Sequence, residues 1–179
     1  MDPSARQPHE VKMDASGIAN PDLEFLVQGT QEGKKLELRL WLRTLATTRL
    51  ISQEIRRRLR IEFSTTLPQF DVLAQLYRES EGLRLGELSK RTMVSNGNVT
   101  GLVERLEADG FVQRETLEND RRVTVARLTD AGRTHFTAMA AAHETWLKEV
   151  MADVDAGTLK AMLDQMNAVK GSVSRHMGT

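Results

Sequence analysis

The stretch from Leu83 to Gly132 constrains this chain more than any other. It reads as a short apolar segment (Leu83-Arg84-Leu85), a small helix (Gly86 to Arg91), a turn (Thr92-Met93-Val94), a second helix opening at Ser95, and a hairpin ending near Leu128. That order is the outline of a winged helix-turn-helix.

The second helix of the pair is the informative one. Ser95 can accept a hydrogen bond from an unpaired amide of the first turn and is the expected N-cap. Behind it Val99, Leu102, Val103 and Leu106 fall at helical spacing and make one apolar face, leaving Asn96, Asn98, Thr100, Gly101 and Arg105 on the other. A core helix gains nothing from two exposed asparagines and from Gly97 and Gly101, since each glycine costs roughly 1 kcal/mol against alanine in a helix interior. A helix entering a DNA major groove uses the same residues well. Small side chains let the backbone approach, amides bond base edges, and the helix N-terminus favours phosphate. Asp109-Gly110 supplies the stop, glycine being common just past a helix end.

After that stop, Phe111 to Glu115 and Val123 to Leu128 alternate well enough for strands. Between them Thr116 to Arg122 reads as a polar, charged tip carrying Asp120, Arg121 and Arg122. An isolated Asp-Arg-Arg is an ordinary solvated turn. Behind this helix it suits a minor-groove probe, because a narrow minor groove attracts arginine and a neighbouring carboxylate can hold the guanidinium in one pose.

The chain resembles the multiple antibiotic resistance regulator (MarR) family of bacterial winged-helix repressors. The residues that carry the likeness are Leu67-Pro68-Gln69-Phe70, Leu85-Gly86-Glu87-Leu88, Met93 to Thr100, Arg105 to Gly110, Asp120-Arg121-Arg122 and Leu128 to Gly132, in the family's order and spacing. With flanking helices the likeness covers roughly residues 34 to 175. It implies a mainly α (α+β) fold, a winged helix-turn-helix domain flanked by N- and C-terminal dimerisation helices. It also implies an effector pocket between the dimerisation helices and the winged domain that often accepts aromatic carboxylates or related anions. Peroxide sensing through cysteine, known in the family, is excluded because the chain has no cysteine.

Composition narrows the alternatives. Eight aromatics (five Phe, two Trp, one Tyr) leave a mostly aliphatic core, which suits long Leu-, Ala- and Met-bearing helices better than a β-sandwich. The formal net charge is zero, unusual where basic charge supplies phosphate affinity, but it is unevenly spread. Residues 1–33 hold two basic against six acidic residues, so the remainder is net positive. Those first residues also hold three of the four prolines and show no periodicity, as expected of a flexible N-terminal arm; the cluster Leu23, Phe25, Leu26 and Val27 leaves open an arm that covers a partner subunit or a pocket. With no apolar leader and no membrane-length apolar window, the expected location is cytoplasmic.

From Leu36 to about Phe63 the pattern is helical, with Leu38, Trp41, Leu42, Leu45, Ile51, Ile55 and Leu59. Residues 34–60 hold nine basic residues against two acidic ones. That is either a solvated face attracted to DNA at long range or, more sharply, an anion site in which Arg39 and Arg43, one turn apart, meet the ligand. Leu67-Pro68 opens a supporting helix with Phe70, Leu73, Leu76 and Tyr77 toward the core, and Glu81-Gly82 turns the chain into Leu83. Thr129 and Asp130 start a further helix, striped by Phe136, Met139, Ala140, His143, Trp146, Leu147, Val150 and Met151. A turn at Asp153 to Gly157 precedes a last helix bearing Leu159, Met162, Leu163, Met166, Val169 and Val173.

The expected organisation is an arm at 1–33, a dimerisation helix at 34–63, the winged DNA-binding domain at 64–132 and dimerisation helices at 133–179. A two-fold dimer would set its recognition helices roughly 34 Å apart on a near-palindrome. His135 and His143 are eight apart, not the i, i+4 spacing of a shared metal, so no metal site is expected; His143 reads as a hydrogen-bonded core residue and His135 as a weaker pocket candidate. No nucleophile elbow, Walker loop, dinucleotide fingerprint or His-Glu-x-x-His is present, and Gly97 to Gly101 lacks the preceding strand and following lysine of a phosphate loop. No enzyme activity and no cofactor are therefore expected. The expected partners are operator DNA, a second copy of the chain, and an anionic effector such as an aromatic acid or its coenzyme A thioester. The competing reading is a winged protein–protein interaction module that does not read DNA.

Overall fold

The computed structural model describes residues 36–92, 96–117 and 120–178, apart from the side chains of residues 96–97, 117 and 120–122. The expectations for the arm, for Ser95 as N-cap and for the side chains of Asn96, Asp120, Arg121 and Arg122 lie outside the described residues. Those residues form six helices and three strands: α1 (Leu36–Phe63), α2 (Leu67–Tyr77), β1 (Leu83–Arg84), α3 (Leu85–Arg91), α4 (Asn96–Ala108), β2 (Val112–Leu117), β3 (Asp120–Leu128), α5 (Asp130–Val150) and α6 (Ala156–Met177). The chain divides into two compact units, Met1–Glu54 and Ile55–Thr179, with the boundary inside α1. In the first unit Leu42 is buried and Leu45 half-buried, whereas Leu38 and Trp41 of the expected stripe are exposed.

The second unit holds the core. Ile55 and Leu59 from α1 are buried, as are Phe70, Val72, Leu73 and Leu76 of α2, Leu88 of α3, Val99, Val103 and Leu106 of α4, Val112, Val125 and Ala126 of the sheet, and Phe136, Met139 and Trp146 of α5. Helix α2 is the central support, packing on α4, α5 and β3. A capping box starts it: the Thr66 N–H donates to Gln69 Oε1 at 2.9 Å while Thr66 Oγ1 accepts from the Gln69 N–H at 3.4 Å. Tyr77, expected in the core, ends the helix more than a third exposed, with its ring 4.8 Å from Phe136 and under the Arg133 guanidinium.

The three strands form an antiparallel sheet in the order β1-β3-β2, with Leu83 opposite Ala126 and Arg84 opposite Val125. Entry into β1 requires glycine. Gly82 has φ +79°, and a Cβ there would lie 2.4 Å from the Ala126 carbonyl oxygen.

Four boundaries differ from the sequence expectation. Helix α3 starts at Leu85 rather than Gly86, and β2 starts at Val112 rather than Phe111. The wing tip is shorter than 116–122, since β2 runs to Leu117 and β3 starts at Asp120, with Leu117 opposite Asp120 and an irregularity after Thr116. A two-stranded ribbon with solvent on its faces needs no apolar alternation, so backbone pairing carries it past the point where the hydrophobic pattern ends. Gly157 lies inside α6, which is capped by Asp155: its carboxylate accepts from the Thr158 N–H at 3.0 Å. No residue of α6 is buried, and Val150 at the end of α5 is exposed.

Candidate nucleic-acid interface

Helix α4 divides into two faces. Val99, Val103 and Leu106 are buried, Leu102 is half-buried, and Asn98, Thr100 and Arg105 are exposed. Gly101 lies on the outer side, where a Cβ would meet nothing within 4 Å. Its missing side chain therefore relieves no crowding inside the molecule, although glycine weakens the helix.

The approach to α4 is closed at Thr92, a buried residue whose N–H and Oγ1 both donate to the Leu88 carbonyl, at 2.9 and 2.8 Å. Its exit is a Schellman turn. The Phe111 N–H donates to the Leu106 oxygen and the Gly110 N–H to the Glu107 oxygen, both at 2.9 Å, around Gly110 at φ +78°. Thr129 fastens this turn to α5: its N–H donates to the Phe111 oxygen at 3.0 Å, and its Oγ1 donates to the Gly110 oxygen at 2.7 Å and accepts from the Gly132 N–H at 2.9 Å. Here Gly132 is obligatory, because a Cβ would sit 1.9 Å from the Phe111 oxygen.

Two arginines brace the wing from below. Arg114 on β2 donates through Nε to Glu107 at 2.7 Å and through Nη1 to Glu104 at 3.2 Å, and both glutamates belong to α4. The Arg114 hydrogen bond is the main reason the Glu107 carboxyl is held below its ordinary pKa. Arg127 on β3 donates through Nε to the Glu81 oxygen at 2.8 Å and pairs with Glu115 on β2. Sequence reading missed both. Arg91, near the turn between the two helices of the motif, is likewise paired, with Glu79 and Glu87.

The residues considered for a ligand stand apart from this surface. Arg39 is half-buried and Arg43 exposed, one turn apart in the first unit. His135 belongs to the second unit and is packed among rings. It stacks on Phe111 at 4.2 Å with an interplanar angle of 3°, meets the edge of Phe63 at 5.9 Å, and brings Nε2 within 3.4 Å of Thr65 Oγ1. Burial pushes its pKa down, against a smaller opposing pull from Asp109. His143 lies 5.1 Å from the Phe70 ring, its pKa lowered by burial and partly restored by Asp71, so its environment is aromatic and ionic. Among the described residues no group of three or more His, Cys, Asp or Glu side chains is arranged to hold a metal ion, and no helix is long and apolar enough to cross a membrane.

The MarR family model matches residues 65–124, which spans α2 through most of the wing. The crystal structure of a MarR family transcriptional regulator from Silicibacter pomeroyi is similar over 82% of this chain and 99% of that one, at 34% identity and a TM-score of 0.67. Sco3205, a MarR family transcriptional regulator from Streptomyces coelicolor solved in complex with DNA, shares the fold over 80% of this chain and 91% of its own, at 23% identity and a TM-score of 0.67. The transcriptional activatory protein BadR of Rhodopseudomonas palustris is 36% identical over 103 residues, 55% of this chain and 58% of that protein. The chain spans about half the length of the curated relatives it matches.

Proposed function

This chain belongs to the MarR family of transcriptional regulators, and on that premise we propose that it binds a near-palindromic operator as a homodimer and leaves it when a small anionic effector binds. The observation that carries the DNA-binding reading is the outer face of α4. Asn98, Thr100 and Arg105 are exposed beside a glycine that no contact within the chain explains, directly opposite a fully buried face. Such a face suits a groove. Ser95, Asn96, Asn98, Thr100 and Gly101 make the major-groove approach, and Arg105 meets phosphate. Arg121 enters the minor groove, with Asp120 and Arg122 holding the tip.

The effector reading is supported by charge. Nine basic residues against two acidic ones in residues 34–60, with Arg39 and Arg43 one turn apart, suit an aromatic acid or its coenzyme A thioester. Such a ligand lowers operator affinity by its differential affinity for a dimer whose helices no longer match the half-sites. Release from an operator that overlaps a promoter is repression. The name of BadR shows that a relative can act as an activator, so the sign of control follows operator position.

The test is fluorescence anisotropy on the chain's own upstream DNA and on random duplex at one salt concentration, with aromatic acids and their thioesters added in turn. Preferential binding that one compound reverses is the expected result. Arg121→Ala should weaken operator binding by about 1–3 kcal/mol. Equal binding to both duplexes would favour the winged protein–protein module instead.

A further inference from the structure

Reading two grooves at once requires the recognition helix and the wing to keep a fixed angle. Only Asp109, Gly110 and Phe111 join α4 to β2, and Gly110 makes no side-chain contact of its own: a Cβ there would meet nothing within 4 Å. A joint of this kind is set by what clamps it. On one side stand the Thr129 hydrogen bonds. On the other, Arg114 joins three bonds to one carboxylate, donating Nε at 2.7 Å and Nη2 at 2.6 Å to Glu107 Oε2 and its backbone N–H at 3.2 Å to Glu107 Oε1, and reaches Glu104 through Nη1. Glu104 and Glu107 are one turn apart and present one face of α4 to the wing.

We propose that Arg114 is a positioning residue, which through Glu104 and Glu107 fixes the angle between the recognition helix and the wing and so couples major-groove to minor-groove reading. This rests on the DNA-binding function proposed above. Stability alone does not account for the cluster, because exposed ion pairs contribute little. Direction does: a planar guanidinium forked onto a carboxylate restricts orientation as a lysine would not. Charge also separates Arg114 from Arg105. Two carboxylates outweigh the single Arg114 cation, leaving no net positive charge for phosphate, whereas Arg105 stands exposed on the other face.

The decisive variant replaces all three residues, Glu104→Gln, Glu107→Gln and Arg114→Gln. It removes the clamp and makes the surface more positive by one charge. Freed carboxylates therefore cannot explain a loss, and affinity for random duplex should hold or rise. The positioning role predicts that operator preference over random duplex falls roughly tenfold even so, with the slope of log affinity against log salt no shallower than in the wild type. Arg114→Lys should be intermediate. An unchanged preference would overturn the proposal. So would a slope reduced by about one in Arg114→Lys, the mark of a direct phosphate contact.

A second measurement needs no DNA. The chain has no cysteine, so Asn98→Cys and Thr116→Cys take spin labels cleanly, and labelled protein diluted with unlabelled reports the helix-to-wing distance within one chain. Both positions are exposed. The wild type should give one narrow distribution and the triple variant a broader one; identical distributions overturn the clamp. A wild type that does not prefer its upstream DNA would reject the DNA-binding function, and the label distances would still decide whether Arg114 sets the angle.

Discussion

Two glycines inside helices illustrate how one residue type serves opposite ends. Gly132 sits where α5 touches the exit of α4, and a methyl group there would collide with the Phe111 carbonyl, which is itself fixed by the Thr129 N–H. Gly132→Ala must push the two segments apart, and about 1–3 kcal/mol of stability should be lost, as for other overpacked sites. Gly101 is the reverse case. Alanine fits the open outer face of α4 and should stabilise the helix by about 0.5–1 kcal/mol, read as a higher urea midpoint. Operator affinity of Gly101→Ala should nevertheless fall, because the methyl group occupies the space the helix needs against the groove. A Gly101→Ala protein that is both more stable and equally tight on the operator would remove the strongest support for α4 as the reading helix. Arg114 and Arg121 differ in the same way: both are wing arginines, yet one already has two carboxylate partners in the chain.

At the scale of elements, the junction between the end of α1, the start of β2 and α5 is closed by His135 between Phe111 and Phe63, with Trp146 6.0 Å beyond Phe63. The ring is depressed in pKa mainly by burial, so the unfolded chain takes up its proton more readily than the folded one. Stability is then full above the ordinary histidine value of 6.5 and declines as pH falls from there toward the folded value. His143, lowered for the same reason, adds to the decline. His135→Phe keeps a ring against Phe111 and loses the titration. Its melting temperature should therefore vary less with pH than that of the wild type between about pH 7.5 and 5.5, the range in which an ordinary histidine titrates. A wild type whose stability is flat across that range would refute the account. Local signals foretold these elements well where the cause was local. The stripe of α1, the buried face of α4, the stop at Gly110 and the Thr129 cap all stand where periodicity and capping put them. The Thr66-x-x-Gln69 capping box was equally readable and went unread. What depends on a partner was not legible. The start of β3 is set by pairing with β2, the Arg114 clamp reaches back across a turn to α4, and Gly132 answers to a carbonyl 21 residues away.

At the scale of the whole molecule, α6 raises the question of what covers it. Leu159, Met162, Leu163, Met166, Val169, Val173 and Met177 recur at helical spacing and are all exposed, Leu163 at 63%. Full burial of a Val, Leu or Met side chain is worth about 1.5–3 kcal/mol. Seven of them on one stripe suffice to offset an association cost of about 4–15 kcal/mol. A second copy of the chain is the occupant that the operator reading requires, since one winged domain contacts too few bases to specify a site. Leu163→Glu discriminates between a covered and an open stripe. On an open surface the change is nearly neutral, within about 0.5 kcal/mol. In a dimer it places an unpaired carboxylate in an apolar seam, so sedimentation should show dissociation at concentrations where the wild type stays dimeric. Operator affinity should fall with it, while binding of a single half-site is retained. A Leu163→Glu protein that sediments as the wild-type dimer would move the dimer interface away from α6, and with it the source of the spacing between the two recognition helices.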